Sequence, residues 1–266
     1  MKTSRLKNIV IVVLALANAF LLVLLLSRRA QERAANERAV TQLVALYASN
    51  GITLPAAIVP DDVRLSAVEP ARDLDAEADF AAAVLGGCSA EDVGGGIYRY
   101  VGSAGQCLLR SSGAVEAALD RSVSDPEAFC DGICIDRGYE LTYAALSDGS
   151  GTVHAIRRVS DGVVFNATLE FTFSQNRLLA VTGFFLPAVE TAGGDDAIDA
   201  VTALVRFLDY SNLGGEVCTE ITGVQSGYLL QSTASASLRL IPAWRVTTDV
   251  NQYYVNMISG EVTRES

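Results

Sequence analysis

The sequence predicts an α+β fold in which a single N-terminal transmembrane helix is followed by repeated units of one helix and one antiparallel meander. An uncharged apolar run at residues 9–26 predicts the transmembrane helix. Beyond it, helical patterns with capping signals alternate three times with groups of short strand-like runs, separated by Gly, Asp and Asn. Helices segregated from antiparallel strands are typical of the α+β class.

The apolar run contains one polar residue, Asn18. At about 1.5 Å per residue, a helix of this length spans roughly 27 Å, close to the roughly 30 Å hydrocarbon core of a bilayer. A cleaved signal peptide is the alternative, because Ala17-Asn18-Ala19 has the small-x-small form of a cleavage site. Seven further apolar residues follow that site, which favours an uncleaved anchor over residues 9–27.

Charge divides the chain into two parts. Residues 1–38 hold seven basic and two acidic side chains, net +5, whereas the rest holds 13 basic and 29 acidic side chains, net −16. We expect the leader of residues 1–8 in the cytoplasm and the acidic bulk outside, as in a single-pass protein of the cell membrane. A net charge of −16 argues against nucleic acid as a partner, because such binding depends on basic side chains that release counterions.

A second helical segment follows the anchor, over residues 28–51. Its first half carries the opposite-charge i,i+4 pairs Arg28/Glu32 and Arg33/Glu37. Its second half carries an apolar stripe at helical spacing, formed by Val40, Leu43, Val44 and Tyr47. Asn50-Gly51 is a stop signal for the helix. The stripe is expected to pack on the protein's own domain, and packing on a partner is the alternative.

The first α+β domain is expected over residues 52–190. Asp73 and Gly86-Gly87 bound a helix over residues 74–85, and Asp125-Pro126 begin a second helix that ends near Gly138. The predicted strands cover residues 97–101, 106–110, 114–119, 139–146, 152–159, 163–173 and 178–186.

The second α+β domain is expected over residues 191–266. Its helix is predicted at residues 197–210, with Asp195 or Asp196 as N-cap. The side chains expected on the buried face of this helix are Ile198, Val201, Val205 and Leu208. Strands are predicted near residues 217–221, 228–231, 236–247 and 253–262.

Few residues suggest catalysis. The single histidine, His154, lies in a predicted strand without zinc-ligand spacing around it, so a structural role is expected. Gly94-Gly95-Gly96 lacks the Lys-Ser/Thr of a P-loop and is expected to be a turn. The sequence therefore predicts a protein without enzymatic activity, cofactor or metal.

The cysteine count is odd, with Cys88, Cys107, Cys130, Cys134 and Cys218. Cys130 and Cys134 have i,i+4 spacing, which separates the Cβ atoms by about 5–6 Å on a helix. A disulfide needs roughly 3.5–4.5 Å. We expect these two to be buried thiols, and a bridge among the other three is left open.

Recognition of a partner helix is expected within the anchor. Ala15 and Ala19 form a small-xxx-small pair that lets another helix approach closely. Asn18 supplies an amide that is costly in a membrane unless it has a hydrogen-bond partner. A plain anchor with a tolerated polar residue is the alternative.

Several segments resemble one protein family. The apolar strand at residues 240–246, which contains Pro242-Ala243-Trp244, is followed by Tyr253-Tyr254-Val255-Asn256 and then by Gly260-Glu261. This ending resembles the closing strand pair of the YycI family and occurs more widely in PepSY-like domains. Residues 4–8, the stretch at 162–187 and the strand ending Gly227-Tyr228-Leu229-Leu230 resemble other parts of the YycI family.

The resemblance implies a regulator rather than an enzyme, with a YycH/PepSY-like extracytoplasmic fold. YycI-family proteins act with a YycH-like protein beside a sensor histidine kinase (WalK, also YycG) that controls cell-wall homeostasis, through transmembrane and extracytoplasmic contacts. The alternative functions are that of a PepSY-like module that binds or inhibits a protease or wall hydrolase, and that of an envelope enzyme or a structural subunit of a wall-synthesis complex. For the resemblance residues themselves, we expect Trp244 in the core and the rings of Tyr253 and Tyr254 on opposite faces of a sheet.

Overall fold

The computed structural model describes residues 2–265 except residues 62, 64, 160–161, 190–196, 215–216 and 233–237. Within the first helix, the side chains of residues 2–13, 15–17 and 29 also lie outside the described part. The described helices are α1 (Lys2–Ser49), α2 (Leu74–Leu85), α3 (Pro126–Cys134) and α4 (Ala200–Gly214).

Local capping explains where two of these helices begin and end. The Asp73 side chain accepts hydrogen bonds from the backbone N–H groups of Asp75 and Ala76, each at 3.0 Å. Gly86 then ends α2 in the left-handed conformation, at φ +81°. The Asp125 side chain caps α3 in the same way, with Pro126 at the first helical position. The predicted boundaries of α2 and the predicted start of α3 are confirmed.

The strands follow the helices in three groups. The first group is β1 (Cys88–Gly94), β2 (Ile97–Gly102), β3 (Gly105–Arg110) and β4 (Ala114–Ser122). The second is β5 (Tyr139–Ser147), β6 (Ser150–Val159), β7 (Gly162–Ser174) and β8 (Arg177–Phe184). The third is β9 (Ile221–Ser232), β10 (Leu238–Thr248), β11 (Gln252–Asn256) and β12 (Val262–Arg264).

All three groups belong to one mixed sheet. Its order is β1-β2-β3-β4-β8-β7-β9-β10-β11-β12, and β6 pairs with β7 and carries β5. Strand β8 pairs antiparallel with β4 on one side and β7 on the other. Strand β9 pairs parallel with the start of β7, where Val163 and Val164 lie opposite Gly227 and Tyr228. The predicted fold of repeated, separate helix-plus-meander units is therefore wrong, because long-range pairings fuse the meanders into a twelve-stranded sheet.

The predicted transmembrane helix is also corrected. Helix α1 is continuous from Lys2 to Ser49. Among the residues whose side chains are described, no helix is both long enough and apolar enough to cross a membrane. Most of the predicted anchor before Asn18 falls on side chains outside the described part.

The hydrophobic core has two large clusters. One lies under α2 and α3 and includes Phe80, Leu169 and Phe171, while the other lies under α1 and α4 and includes Ala167 and Trp244. Ala167 and Leu169 are two residues apart on β7 and both are buried, so the two clusters lie on the same face of that strand.

Helix α4 covers Ala200–Gly214 rather than the predicted residues 197–210, and its N-cap and buried face also differ from the prediction. The N-cap is Asp199, whose side chain accepts a hydrogen bond of 2.7 Å from the backbone N–H of Thr202; Asp195 and Asp196 lie outside the described residues. The buried face is Ala200, Ala203, Leu204, Phe207, Leu208 and Ser211. It is rotated from the predicted one, because Ile198, Val201 and Val205 are only partly buried. The prediction rested on the large apolar side chains alone, but Ala200, Ala203 and Ser211 also face the core here.

Strands β1 and β9 also differ from the prediction, and the strand predicted at residues 253–262 is divided into β11 and β12. Strand β1 was not predicted, because Cys88–Gly94 is largely exposed and carries no apolar alternation. The run at residues 217–221 is not a strand; β9 begins at Ile221 instead.

Candidate functional site

The C-terminal end of α1 is anchored in the protein core. Leu43 and Tyr47 are buried, with 2% and 0% of their surface exposed, and Val44 packs against the same cluster. The Tyr47 hydroxyl donates a hydrogen bond of 2.7 Å to the backbone oxygen of Leu204 on α4. The backbone N–H of Ile52 donates to Tyr47 O at 3.0 Å, and Gly51 adopts φ +78°. The prediction that this stripe packs on the protein's own domain is confirmed for Leu43, Val44 and Tyr47, while Val40 is only partly buried and outside the cluster. The predicted helix stop is also confirmed.

The preceding part of α1 has no packing partner among the described residues. The seven apolar side chains from Phe20 to Leu26 each expose between 48% and 64% of their surface. Arg28 donates to Glu32 at 3.1 Å, which confirms this predicted i,i+4 pair on the helix surface. A contiguous apolar surface of this kind marks an interaction site in a folded protein.

The three predicted partner-binding residues lie on this part of α1. Asn18 and Ala19 are exposed, whereas the side chain of Ala15 lies outside the described residues. The helix is regular here, so positions 15 and 19 are one turn apart on one side. Their role in partner binding stays a prediction.

The environment of His154 contains two neighbours that the sequence did not indicate. On β6, its Nε2 lies 3.7 Å from a carboxylate oxygen of Glu170 on β7, and its ring centroid is 6.0 Å from that of Tyr143. Tyr143 is exposed, and the His154 and Glu170 side chains are partly exposed, so this long pair has little effect on stability. Within the described residues, no group of three or more His, Cys, Asp and Glu side chains is placed to hold a metal.

The cysteines are present as thiols. Cys130 and Cys134 are buried on α3, as predicted, and Cys107 is buried on β3. Burial raises the pKa of Cys107 and of Cys134 to about 12, so both are protonated and poorly reactive at neutral pH.

An arginine-lined cavity lies beside α2 and is a second candidate site. Its volume is about 390 Å³, and its walls come from α2, the turn after α3, the end of β6 and the segment after β8. Arg157 on β6 is the central polar residue, with only 4% of its surface exposed. Sequence reasoning did not identify this residue, although the strand alternation of Val153, Ala155 and Arg157 places it on the buried face.

Arg157 is held by neutral groups. Its guanidinium donates to the backbone oxygen of Arg137 and, at 2.7 Å, to that of Pro187. It also lies 5.3 Å from the centre of the Tyr139 ring. Its Nε is buried without a hydrogen-bond partner among the described residues. Burial lowers the pKa of Arg157, and the neighbouring Tyr139 acts in the opposite direction.

The other two arginines of the cavity have acidic partners. Arg137 pairs with Asp79 at 2.5 Å, and Arg158 pairs with Glu140 at 3.1 Å. The acidic side chains that line the cavity, Asp79 and Asp136, are both exposed. Arg157 is thus the one lining arginine for which the described residues provide no carboxylate.

The resemblance residues prove to be structural. Trp244 is fully buried, and its Nε1 donates a hydrogen bond of 2.9 Å to the backbone oxygen of Ile198. Tyr253 belongs to the core under α4, whereas Tyr254 stacks on Phe165 at 5.5 Å in a separate cluster. The prediction that the two rings lie on opposite faces is confirmed.

Comparisons with known proteins add only distant structural similarities. No protein-family model matches this sequence, and no curated protein matches it. The fold is similar to the C-terminal domain of Bacillus megaterium YpeB, with a TM-score of 0.39 and 9% identity over 74% of this chain and 99% of that chain. It is also similar to an uncharacterized protein from Eubacterium rectale, with a TM-score of 0.40 and 9% identity over 76% of this chain and 80% of that chain.

At these scores neither similarity assigns a function. The resemblance to the YycI family therefore rests on the sequence motifs alone.

Proposed function

We propose that this chain is a YycI-like, non-catalytic regulator that binds a sensor histidine kinase of the WalK/YycG kind through helix α1. The observation that carries the proposal is the contrast between the two ends of the described helix. Residues 20–26 expose an apolar surface that no described residue covers, whereas Leu43 and Tyr47 are fixed in the core. A partner that binds the exposed segment would thus be coupled mechanically to the sheet. The location outside the cytoplasm, at the cell membrane, and the YycH-like second partner stay predictions.

Charge supports α1 as the contact element. The chain has a net charge of −11, and the part after residue 38 has a net charge of −16. An acidic surface of this size disfavours contacts with acidic partners and leaves few attractive patches. The exposed part of α1 is uncharged from Asn18 to Leu26, so a partner can meet it without electrostatic repulsion.

The chemistry of the contact side suggests a helix as the bound element. Small residues at positions 15 and 19 allow the backbone of a second helix to approach closely, and Asn18 can form an interhelical hydrogen bond. A hydrogen bond of this kind contributes about 0.5–1.5 kcal/mol. The bulky side chains on the remaining surface of the helix would exclude water from this contact.

Co-purification with the sensor histidine kinase of the same organism tests the proposal. The variant Asn18→Leu with Ala15→Ile and Ala19→Ile should keep its fold and abundance but lose most of the kinase. A control on the same helix, Leu46→Ala, alters an exposed apolar side chain outside the proposed contact segment and should retain the kinase.

Two results would contradict the proposal. Equal kinase binding by the triple variant and the unaltered chain would show that recognition does not use this side of α1. Co-purification of a protease or a wall hydrolase in place of the kinase would favour the PepSY-like inhibitor.

A further inference from the structure

We propose that the arginine-lined cavity is a binding site for a small organic acid, whose carboxylate pairs with Arg157 and whose apolar body contacts Phe185, Leu186 and Pro187. This site is separate from the exposed segment of α1, so the inference stands independently of the kinase proposal.

The charge of Arg157 is not balanced by any carboxylate among the described residues. A guanidinium has five N–H donors, and the described residues provide acceptors for two of them, both backbone carbonyl groups. A buried cation without an anion is unfavourable, because neutral acceptors replace only part of its lost hydration. Burial lowers the pKa of Arg157 for the same reason. A bound anion would remove this imbalance.

Several elements of the fold hold the Arg157 side chain in place. Tyr139, which lies beside the guanidinium, is fixed because its hydroxyl donates to Phe184 O at 2.7 Å and accepts from the backbone N–H of Leu186 at 2.9 Å. Gly138 has φ +68°, and a Cβ atom there would collide with the Arg157 guanidinium. The side chain is therefore held beside the cavity rather than left to find other partners.

Arg157 and the apolar walls of the cavity together indicate the kind of ligand. A carboxylate matches the planar donor fork of arginine, and desolvated arginine sites favour it. Phe185, Leu186 and Pro187 are buried in the cavity wall, and Val159 and Val189 are partly buried. A cavity of about 390 Å³ is in the size range of small-molecule sites. These walls favour a carboxylic acid with a compact apolar body over a free inorganic anion.

Calorimetric titration of the full chain tests the site with N-acetyl-leucine and its neutral analogue N-acetyl-leucinamide. The acid should bind saturably, and the amide at least tenfold more weakly, because only the acid supplies the carboxylate. Inorganic phosphate should compete poorly, since it has no apolar body. Ala-Ala-Leu with a free C-terminus then distinguishes the two sources of such a carboxylate: equal binding of this peptide indicates a peptide terminus, and its exclusion indicates a free acid.

The variant Arg157→Met should abolish binding of N-acetyl-leucine. The matched control is Arg121→Met, because Arg121 also lies over an aromatic ring, that of Phe129, and donates to two backbone carbonyl groups, but is not part of the cavity. This control should bind the acid with unchanged affinity. If Arg157→Met does not fold, Arg157→Lys replaces it and should bind at least tenfold more weakly, since ammonium lacks the donor fork.

Equal affinity of the unaltered chain for the acid and the amide would overturn the inference. So would the absence of saturable binding of both compounds, or unchanged affinity in a folded Arg157 variant.

Discussion

The hydroxyl of Tyr47 on α1 donates a hydrogen bond of 2.7 Å to the backbone oxygen of Leu204 on α4, within the hydrophobic core. This contact joins the long N-terminal helix to the layer that covers β10 and β11. Burial, together with the nearby Cys218, raises the pKa of Tyr47, so the hydroxyl stays protonated and remains a donor. The docked end of α1 therefore connects the exposed segment of this helix to α4 and the sheet beneath it.

Tyr47→Phe should lower the free energy of unfolding by about 1 kcal/mol, because one buried hydrogen bond is lost while the ring remains. Tyr47→Ala should lower it by about 3–5 kcal/mol, because a large cavity forms. Urea unfolding, followed by the fluorescence of the single tryptophan Trp244, measures both. Leu46→Ala is the control on the same helix, where the side chain is 42% exposed and a change below about 0.5 kcal/mol is expected. Equal effects at positions 46 and 47 would contradict the docking of this face.

Gly227→Ala should destabilise the protein by about 1–3 kcal/mol, because a Cβ atom there would meet the backbone oxygen of Val163 and lie 2.6 Å from the Phe165 ring. This glycine sits where β9 joins β7. Gly223→Ala on the same strand is the matched control, since its nearest neighbour would be Thr247 at 3.7 Å, an ordinary contact. Thermal or urea unfolding of the two variants makes the comparison, and a tolerated alanine at position 227 would show that the two strands do not approach so closely.

Stability should fall in alkaline solution. Burial raises the pKa of Cys107 and Cys134 from 9.0 to about 12, so the folded chain retains these protons while the unfolded chain loses them. The contribution is complete below pH 9 and is lost as the pH rises from 9 towards 12, by about 1.4 kcal/mol per pH unit for each group. Urea unfolding between pH 8 and 11 measures this slope. In Cys107→Ala the loss of stability per pH unit should be smaller by about 1.4 kcal/mol, the contribution of one thiol. An unchanged slope would contradict the raised pKa of Cys107.

His154→Gln should change the free energy of unfolding by less than about 0.5 kcal/mol, because the pair with Glu170 is exposed. Kinase association should be unaffected, since neither side chain belongs to the proposed contact. Glu170→Gln should behave in the same way. A His154 variant that is stable and abundant but no longer binds the kinase would give this histidine a functional role.

Local signals in the sequence predicted several elements correctly, whereas pairings between strands that are distant in the sequence were not predicted. Asp73 and Gly86 are capping residues whose effect extends over a few positions, so the bounds of α2 could be read directly. The parallel contact of Val163 with Gly227 joins strands that are distant in the sequence, and no local pattern encodes it. The prediction therefore separated three meanders that the structure unites.

The same difference between local and long-range signals applies to the candidate sites. The stripe containing Leu43 and Tyr47 was predicted from helical periodicity, which is a local property. The cavity around Arg157 was missed, because it depends on Arg137, Tyr139 and Pro187 meeting from different elements. Strand alternation would have placed Arg157 inward, but only the three-dimensional structure shows that no described carboxylate pairs with it.

Photo-crosslinking from position 18 of α1 in living cells tests the proposed function most directly. A photoreactive residue in place of Asn18 should capture the sensor histidine kinase, identified by mass spectrometry. The same residue in place of Val250, which is 61% exposed in the turn between β10 and β11, should not capture the kinase. Equal capture of the kinase from both positions, or capture of a protease or wall hydrolase from position 18 instead, would contradict the regulator that binds through α1.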